Sequence, residues 1–334
     1  MRFEGKDLKN RWKRILEDIS KSQKFSPEAS TFRKSIWWKT GKVGAVFIEG
    51  SIEKEGKAMP ANLKVQGTKP ATSEFEMIQA FEKNNKSKII RPPQVYTHIP
   101  WDNEKHFEAL IIERARGNPV IVNNPPEDEE IDKFFNLYEE YRANCRQTPW
   151  VAKPKKYSYR EHVDRWLSIV ERQRSADKLG REEDWDLMEK GIGIVEEEIE
   201  RVGLEFVHGH FTSGDLIQVN ENEIVLFSNL FWGWRVPFYD AVFEYHWKTL
   251  WLEKVKNLPP ELVEKERKRW FDKVFTLSEM QSERGIRKIN LALLERAVPA
   301  LMVDRFFLDQ NKESTKIVVE ECRKELKRLI KNFS

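Results

Sequence analysis

The segment His208-Gly209-His210-Phe211-Thr212-Ser213-Gly214-Asp215 packs two histidines, two glycines and a carboxylate into one short polar stretch. It follows apolar Phe206-Val207 and precedes the β-branched run Glu223-Ile224-Val225-Leu226-Phe227. Region 204–231 therefore reads as two short strands, Phe206–His210 and Glu223–Phe227, around a loop. In that loop His210 is a group able to accept a proton near neutral pH. Asp215, just past Thr212-Ser213-Gly214, reads as a carboxylate closing a turn. Beyond it, Pro237-Phe238-Tyr239-Asp240-Ala241-Val242 leads into a helix, with Asp240 placed to cap it or to brace the 208–215 loop.

Moving outward, the chain after about residue 125 is dominated by helical spacing. Phe134, Leu137, Tyr138 and Tyr141 form one stripe, and Val163, Trp166, Leu167 and Val170 another. Trp185, Met188, Ile192, Val195, Ile199 and Val202 step by three and four. Further helices are expected at 238–256, 260–274, 286–309 and 314–332. Before residue 122 the pattern is that of short antiparallel strands: Ser35–Trp38, Val43–Ile48, Asn62–Gln66, Gln94–Ile99 and Phe107–Glu113. One helix interrupts them at 71–84, with Phe75, Met77, Ile78 and Phe81 on one side, and another opens the chain at 5–24 until Ser26-Pro27-Glu28 breaks its period.

Composition narrows the function classes. The 334 residues carry 58 Lys and Arg against 55 Asp and Glu, a formal charge of +3, so the surface is not built to neutralise a nucleic acid backbone. The basic runs Lys153–Lys156, Lys265–Arg269 and Arg323–Lys331 lie among acidic neighbours or at helical spacing and read as solvated faces. With 12 Trp and 20 Phe the chain has ample core material. No apolar run reaches the roughly 18 residues of a membrane span, and Cys145 and Cys322 are too few for a disulfide framework. A cytoplasmic protein with neither nucleic acid nor membrane as partner is the expectation.

The 208–215 segment resembles the His-Gly-Asp-(four residues)-Asn catalytic loop of the aminoglycoside phosphotransferase and choline kinase family, distant relatives of the protein kinases. The resemblance spans roughly 32–310. It implies an α+β, protein-kinase-like bilobal fold, with a small antiparallel-sheet N-lobe and a mostly helical C-lobe. The implied divisions are an N-terminal helical extension at 1–31, an N-lobe at 32–118 and a C-lobe at 119–334 containing the loop-like segment 204–231. Gly41 and Gly44 resemble a remnant glycine-rich turn, and Lys64 the strand lysine that pairs phosphates. Glu74, with Glu76 as second choice, resembles the helix glutamate that holds this lysine, and Ala109–Gly117, including Glu113, the strand running to the adenine-contacting hinge. His208 then has a structural role, and Asp240 matches the aspartate of the family's Pro-x-x-Asp segment.

Where the family has a base and two magnesium ligands, this chain has His210, Asp215 and Ser228. Histidine is wider than a carboxylate, and serine carries no charge for a hard cation that wants oxygen anions. The resemblance thus implies ATP in an interlobe cleft, with magnesium binding weakened or lost. Three functions follow as expectations. The first is a pseudo-phosphotransferase that keeps its cleft but lacks normal magnesium-dependent transfer. The second is an active, divergent small-molecule kinase with His210 as base and Asp215 organising one metal. The third is a protein-interaction module using the aromatic-rich region after Leu230, where Phe231, Trp232, Trp234, Tyr245, His246, Trp247 and Trp251 crowd together.

Overall fold

The computed structural model describes residues 6–34, 44–69, 72–277 and 282–333. The expected strand Ser35–Trp38 and Gly41 lie outside them. In chain order the elements are α1 (Lys6–Ser22), β1 (Phe25–Pro27), β2 (Arg33–Lys34), β3 (Ala45–Lys54), β4 (Lys57–Gln66), α2 (Glu74–Asn84), β5 (Ile90–Arg91), β6 (Val95–Asp102), β7 (Phe107–Glu113) and β8 (Asn118–Pro119). There follow α3 (Asp128–Asn144), α4 (Tyr159–Val170), α5 (Glu183–Val202), β9 (Glu205–Val207), β10 (Leu216–Asn220), β11 (Glu223–Leu226), β12 (Gly233–Arg235), α6 (Tyr239–Trp251), α7 (Pro260–Val274), α8 (Glu283–Met302) and α9 (Glu313–Lys331). The chain divides into two compact units, one of residues 1–117 and 217–230, the other of 118–216 and 231–334.

The first unit is built on an antiparallel sheet in the order β1-β3-β4-β7-β6, with β2 also paired to β3. Strands β3 and β4 turn back on each other through Glu55-Gly56, both at positive φ, the geometry a two-residue hairpin needs. Alternation then divides the sheet. Ala61, Leu63 and Val65 point into a core closed by Ile15, Leu16 and Ile19 of α1. The N-terminal segment is therefore part of this unit: α1 covers one face and β1 adds an edge strand, Phe25 opposite Ile52. Pro27 is tolerated because an edge strand leaves one row of N–H positions unused. On the other face Ile78 of α2 packs with Leu110, Ile112 and Phe227.

Segment 217–230 belongs to this unit, where the sequence reading had kept all of 204–231 with the helices. Its β11 runs parallel to β5, with Ile224 opposite Ile90, and Phe227 packs on Ile78. Strand β10, which turns into β11 at Asn220–Glu223, stands where the sequence predicts loop.

The second unit is mostly helical. The stripes on α3 and α5 are buried as their spacing requires, including Phe134, Tyr138, Tyr141, Met188, Ile192, Val195 and Ile199. Helix α8 ends at Met302, short of the expected 309, although Pro299 sits inside it. Strand β9 pairs with β12, Phe206 opposite Trp234. The aromatics after Leu230 are largely interior: Trp232 is buried against Phe206, His208, Tyr141 and Trp150, and Tyr245 hydrogen-bonds Glu325. Of the large rings immediately after Leu230, Phe231, at 46% exposure, is the strongly exposed one among the described residues. Among the described residues no helix is long and apolar enough to cross a membrane.

Candidate functional site

In the first unit the sequence candidates Lys64 and Glu74 meet. Lys64 stands in β4 between Phe47 and Leu110, on the face opposite Leu63 and Val65, so its ammonium emerges beside α2. There it forms an ion pair and hydrogen bond with Glu74. Glu74 is the first residue of α2, and its position is set by Ser73. The Ser73 hydroxyl accepts from the Phe75 amide at 3.2 Å and donates to Glu108 of β7, tying the helix start to the sheet. Lys64 keeps 17% of its side chain exposed and Glu74 7%, so the pair is shielded without being sealed. The second choice, Glu76, is exposed on the far side of the turn.

Glu113 is held differently from the expectation. Its carboxylate takes a two-pronged contact from Arg91 at 2.6 and 2.8 Å, and Arg91 also reaches Glu223. Burial pushes the Glu113 carboxyl up, but Arg91 and the Gln94 amide outweigh it and hold it below the usual range. The Gly44 amide donates to Thr68 Oγ1 at 3.4 Å and its carbonyl accepts from Gly67 at 2.7 Å, which fixes the start of β3. Ser228 closes β11 in the left-handed region, φ 59°, a conformation uncommon for serine.

In the second unit the loop 208–215 is shaped by Asp240. The expected strand Phe206–His210 stops at Val207 because Gly209, at φ 78°, turns the chain. A Cβ there would lie 2.6 Å from the Phe231 carbonyl oxygen, so only glycine fits. Asp240 lies in the first turn of α6 but does not cap it; residue 238 is the N-cap and contributes no side-chain bond. Its carboxylate instead accepts from the His208 amide at 3.0 Å, the Gly209 amide at 2.9 Å and the Tyr141 hydroxyl at 2.8 Å. His208 is buried with its ring edge-on to Trp232. The bracing half of the expectation for Asp240 is thus observed, and the capping half is replaced.

His210 and Asp215 meet in the same loop. Nδ1 of His210 lies 2.5 Å from Asp215 Oδ2, which also accepts from the Thr212 hydroxyl at 3.1 Å. The imidazole is stacked on Phe231 and tilted against Phe243, both ring centres 4.9 Å away. Its Nε2 has no hydrogen-bond partner among the described residues, and the side chain keeps 30% exposure. Burial pulls the imidazole down, but the charge of Asp215 and the hydrogen bond to it prevail and raise it above the ordinary histidine range. More of it is protonated at neutral pH than of a free imidazole.

Glu244 was not singled out from sequence. It lies one turn beyond Asp240 on α6, wholly buried, with neither oxygen in a hydrogen bond of good geometry. Lys248 Nζ stands 3.9 Å away, and the Ser213 hydroxyl and amide approach from the loop. Burial raises its carboxyl to about 7. The available signal was an acid four residues after Asp240, on the same helical face.

These residues suit one implied group and not the other. Lys64 held by Glu74 is a cation fixed in a shielded place, which fits a phosphate. The loop offers little to magnesium, since Asp215 Oδ2 is already engaged by His210 and Thr212. Among the described residues no group of three His, Cys, Asp or Glu could hold a metal ion.

No protein-family model matches the chain, and no curated protein matches it significantly in sequence. Solved structures do. A thermostable mutant of aminoglycoside phosphotransferase APH(4)-Ia, in a ternary complex with ADP and hygromycin B, aligns over 95% of this chain and 98% of its own, with TM-score 0.56 and 11% identity. The fold is the kinase-like fold of the aminoglycoside phosphotransferases. Amicoumacin kinase hAmiN, in complex with AMP-PNP, Ca2+ and Ami, aligns over 97% of this chain and 96% of its own, with TM-score 0.53 and 12% identity. LicA in complex with AMP aligns over 95% and 98%, with TM-score 0.51 and 9% identity. At such identities the kinase-like fold is what is shared, and the altered loop must be judged on its own residues.

Proposed function

We propose that this protein is an aminoglycoside phosphotransferase-like nucleotide-binding protein whose magnesium-dependent transfer is impaired. It would hold ATP phosphates through Lys64, oriented by Glu74, as the nucleotide complexes of structures sharing its fold make reasonable. The observation that carries the impairment is the bond from Asp215 to His210. The one acidic group at the three altered positions is bonded to a histidine and not left for a metal ion, and that histidine is shifted toward its protonated form, in which it accepts no proton. Phosphoryl transfer depends on neutralising charge as it develops, so losing base and ligand together removes most of the rate.

The test is steady-state ADP release with ATP, magnesium and a panel of hydroxyl-bearing acceptors. The expected result is no release above background that depends on Lys64. Robust magnesium-dependent release that disappears in Lys64→Ala overturns the proposal. A second reading is favoured by the same pair viewed as an oriented base. Asp215 on Nδ1 leaves Nε2 to take a proton from an acceptor hydroxyl. That reading requires transfer that rises as the imidazole deprotonates and that is abolished in His210→Ala.

A further inference from the structure

In the second unit two guanidinium groups converge on one imidazole. Arg235 of β12 brings Nη1 to 3.1 and 3.0 Å from the two ring nitrogens of His162, and Arg165 brings Nη2 to 3.1 Å from Nδ1. Neither arginine has a carboxylate within ion-pair distance among the described residues, and Arg235 Nε is buried with no hydrogen-bond partner. Glu295, whose charge acts on Arg235, is itself buried and accepts from the Tyr157 hydroxyl and the Val236 amide. His162 carries no negative charge to offset them, and burial and both guanidiniums hold it neutral.

Aromatic faces flank the cluster. Trp166 and Tyr239 lie 6.0 and 5.6 Å from the Arg235 guanidinium, and Tyr157 and Trp166 lie 5.3 and 6.0 Å from the His162 ring. Tyr157, His162, Trp166 and Arg235 are half-buried and Arg165 is exposed, so the cluster opens to solvent. Rings also link it to the loop: Tyr239 packs on Phe243, and Phe243 on His210.

Two cations held side by side on a neutral ring repel each other, and an oxyanion between them would relieve that repulsion. Guanidinium forks match the oxygens of phosphate or carboxylate. We propose that Arg165 and Arg235 bind the oxyanion of a small molecule whose flat body lies on Trp166 and Tyr157. That this molecule is the partner ligand of the nucleotide rests on the function proposed above; the binding site itself does not.

Phenyl phosphate, benzoate and inorganic phosphate, each titrated calorimetrically into the full chain without nucleotide or magnesium, provide the test. Saturable binding of phenyl phosphate or benzoate is expected, and which binds more tightly tells phosphate from carboxylate. Arg165→Met should weaken that binding about tenfold or more, and Arg235→Gln likewise. Trp166→Leu should weaken the aromatic probe while sparing inorganic phosphate. Lys64→Met should leave the aromatic probe unaffected, which separates this site from the nucleotide reading. Absence of saturable binding by both aromatic probes overturns the proposal. So does binding lost in Lys64→Met and kept in Arg165→Met. Arg165 is exposed, and circular dichroism of its variant confirms that any loss is not unfolding.

Discussion

Asp240→Ala is expected to lower stability by about 4 kcal/mol, because it strands two buried donors at about 1–3 kcal/mol each. Those donors are the Gly209 amide and the Tyr141 hydroxyl, at 2.9 and 2.8 Å; the His208 amide, 3.0 Å from the same carboxylate, keeps the Tyr141 oxygen at 2.6 Å. No water can replace the carboxylate without a cavity opening, since Asp240, His208 and Tyr141 are all fully buried. Tyr141→Phe removes one donor and leaves the two amides satisfied, so its loss should be about 1 kcal/mol. Urea unfolding at neutral pH, followed by tryptophan fluorescence, measures both. Equal and small losses in the two variants would mean that Asp240 does not organise the loop.

The second large effect concerns pH. Burial raises Glu244 to about 7 from the model-peptide value of 4.5. The native state therefore holds this proton longer than the unfolded chain does. Its contribution is fully present below pH 4.5 and is lost as pH rises toward about 7. At about 1.36 kcal/mol per pH unit the loss is about 3 kcal/mol. His210 is also raised by its partner Asp215, so its share is present below the ordinary histidine range and fades as pH climbs through the raised value. The groups facing Glu244 are Lys248 on its own helix, and Ser213, Asp215 and His210 from the loop, the last raised in part by the charge of Glu244. Glu244→Gln keeps the shape of the neutral acid. It should match the parent near pH 4 and exceed it by about 3 kcal/mol near pH 8, leaving only the later slope due to His210. Urea midpoints across that range decide it, and an unchanged slope would contradict the assignment.

Much of the scaffold was legible because its signals are local and periodic. The three-and-four spacing from Met188 to Ile199 could belong only to a helix with one buried face, and it became α5. Lys64 and Glu74 were legible through the resemblance, which pairs a strand lysine with an acid on the helix that follows. The features that were missed depend on pairing across long separations. Strand β1 was hidden because Ser26-Pro27 reads as a break, and only its edge position beside β3 permits proline. Strand β10 was hidden because Leu216–Asn220 directly follows the polar loop. Asp240 precedes a helix, so capping was the local inference. Its true partners at 141, 208 and 209 are brought to it by β9 and α3. Glu244 gave no local sign of its burial, since an acid one turn into a helix is ordinarily solvated.

The claim that orders the rest is that Asp215 serves His210 and not a metal ion. Calorimetric titration of ATP into the full chain, with magnesium and with a chelator, tests it most directly. The account predicts ATP affinities within about twofold of each other in the two conditions, and a loss of about tenfold or more in Lys64→Met. ATP binding that tightens by about tenfold or more on adding magnesium would contradict it.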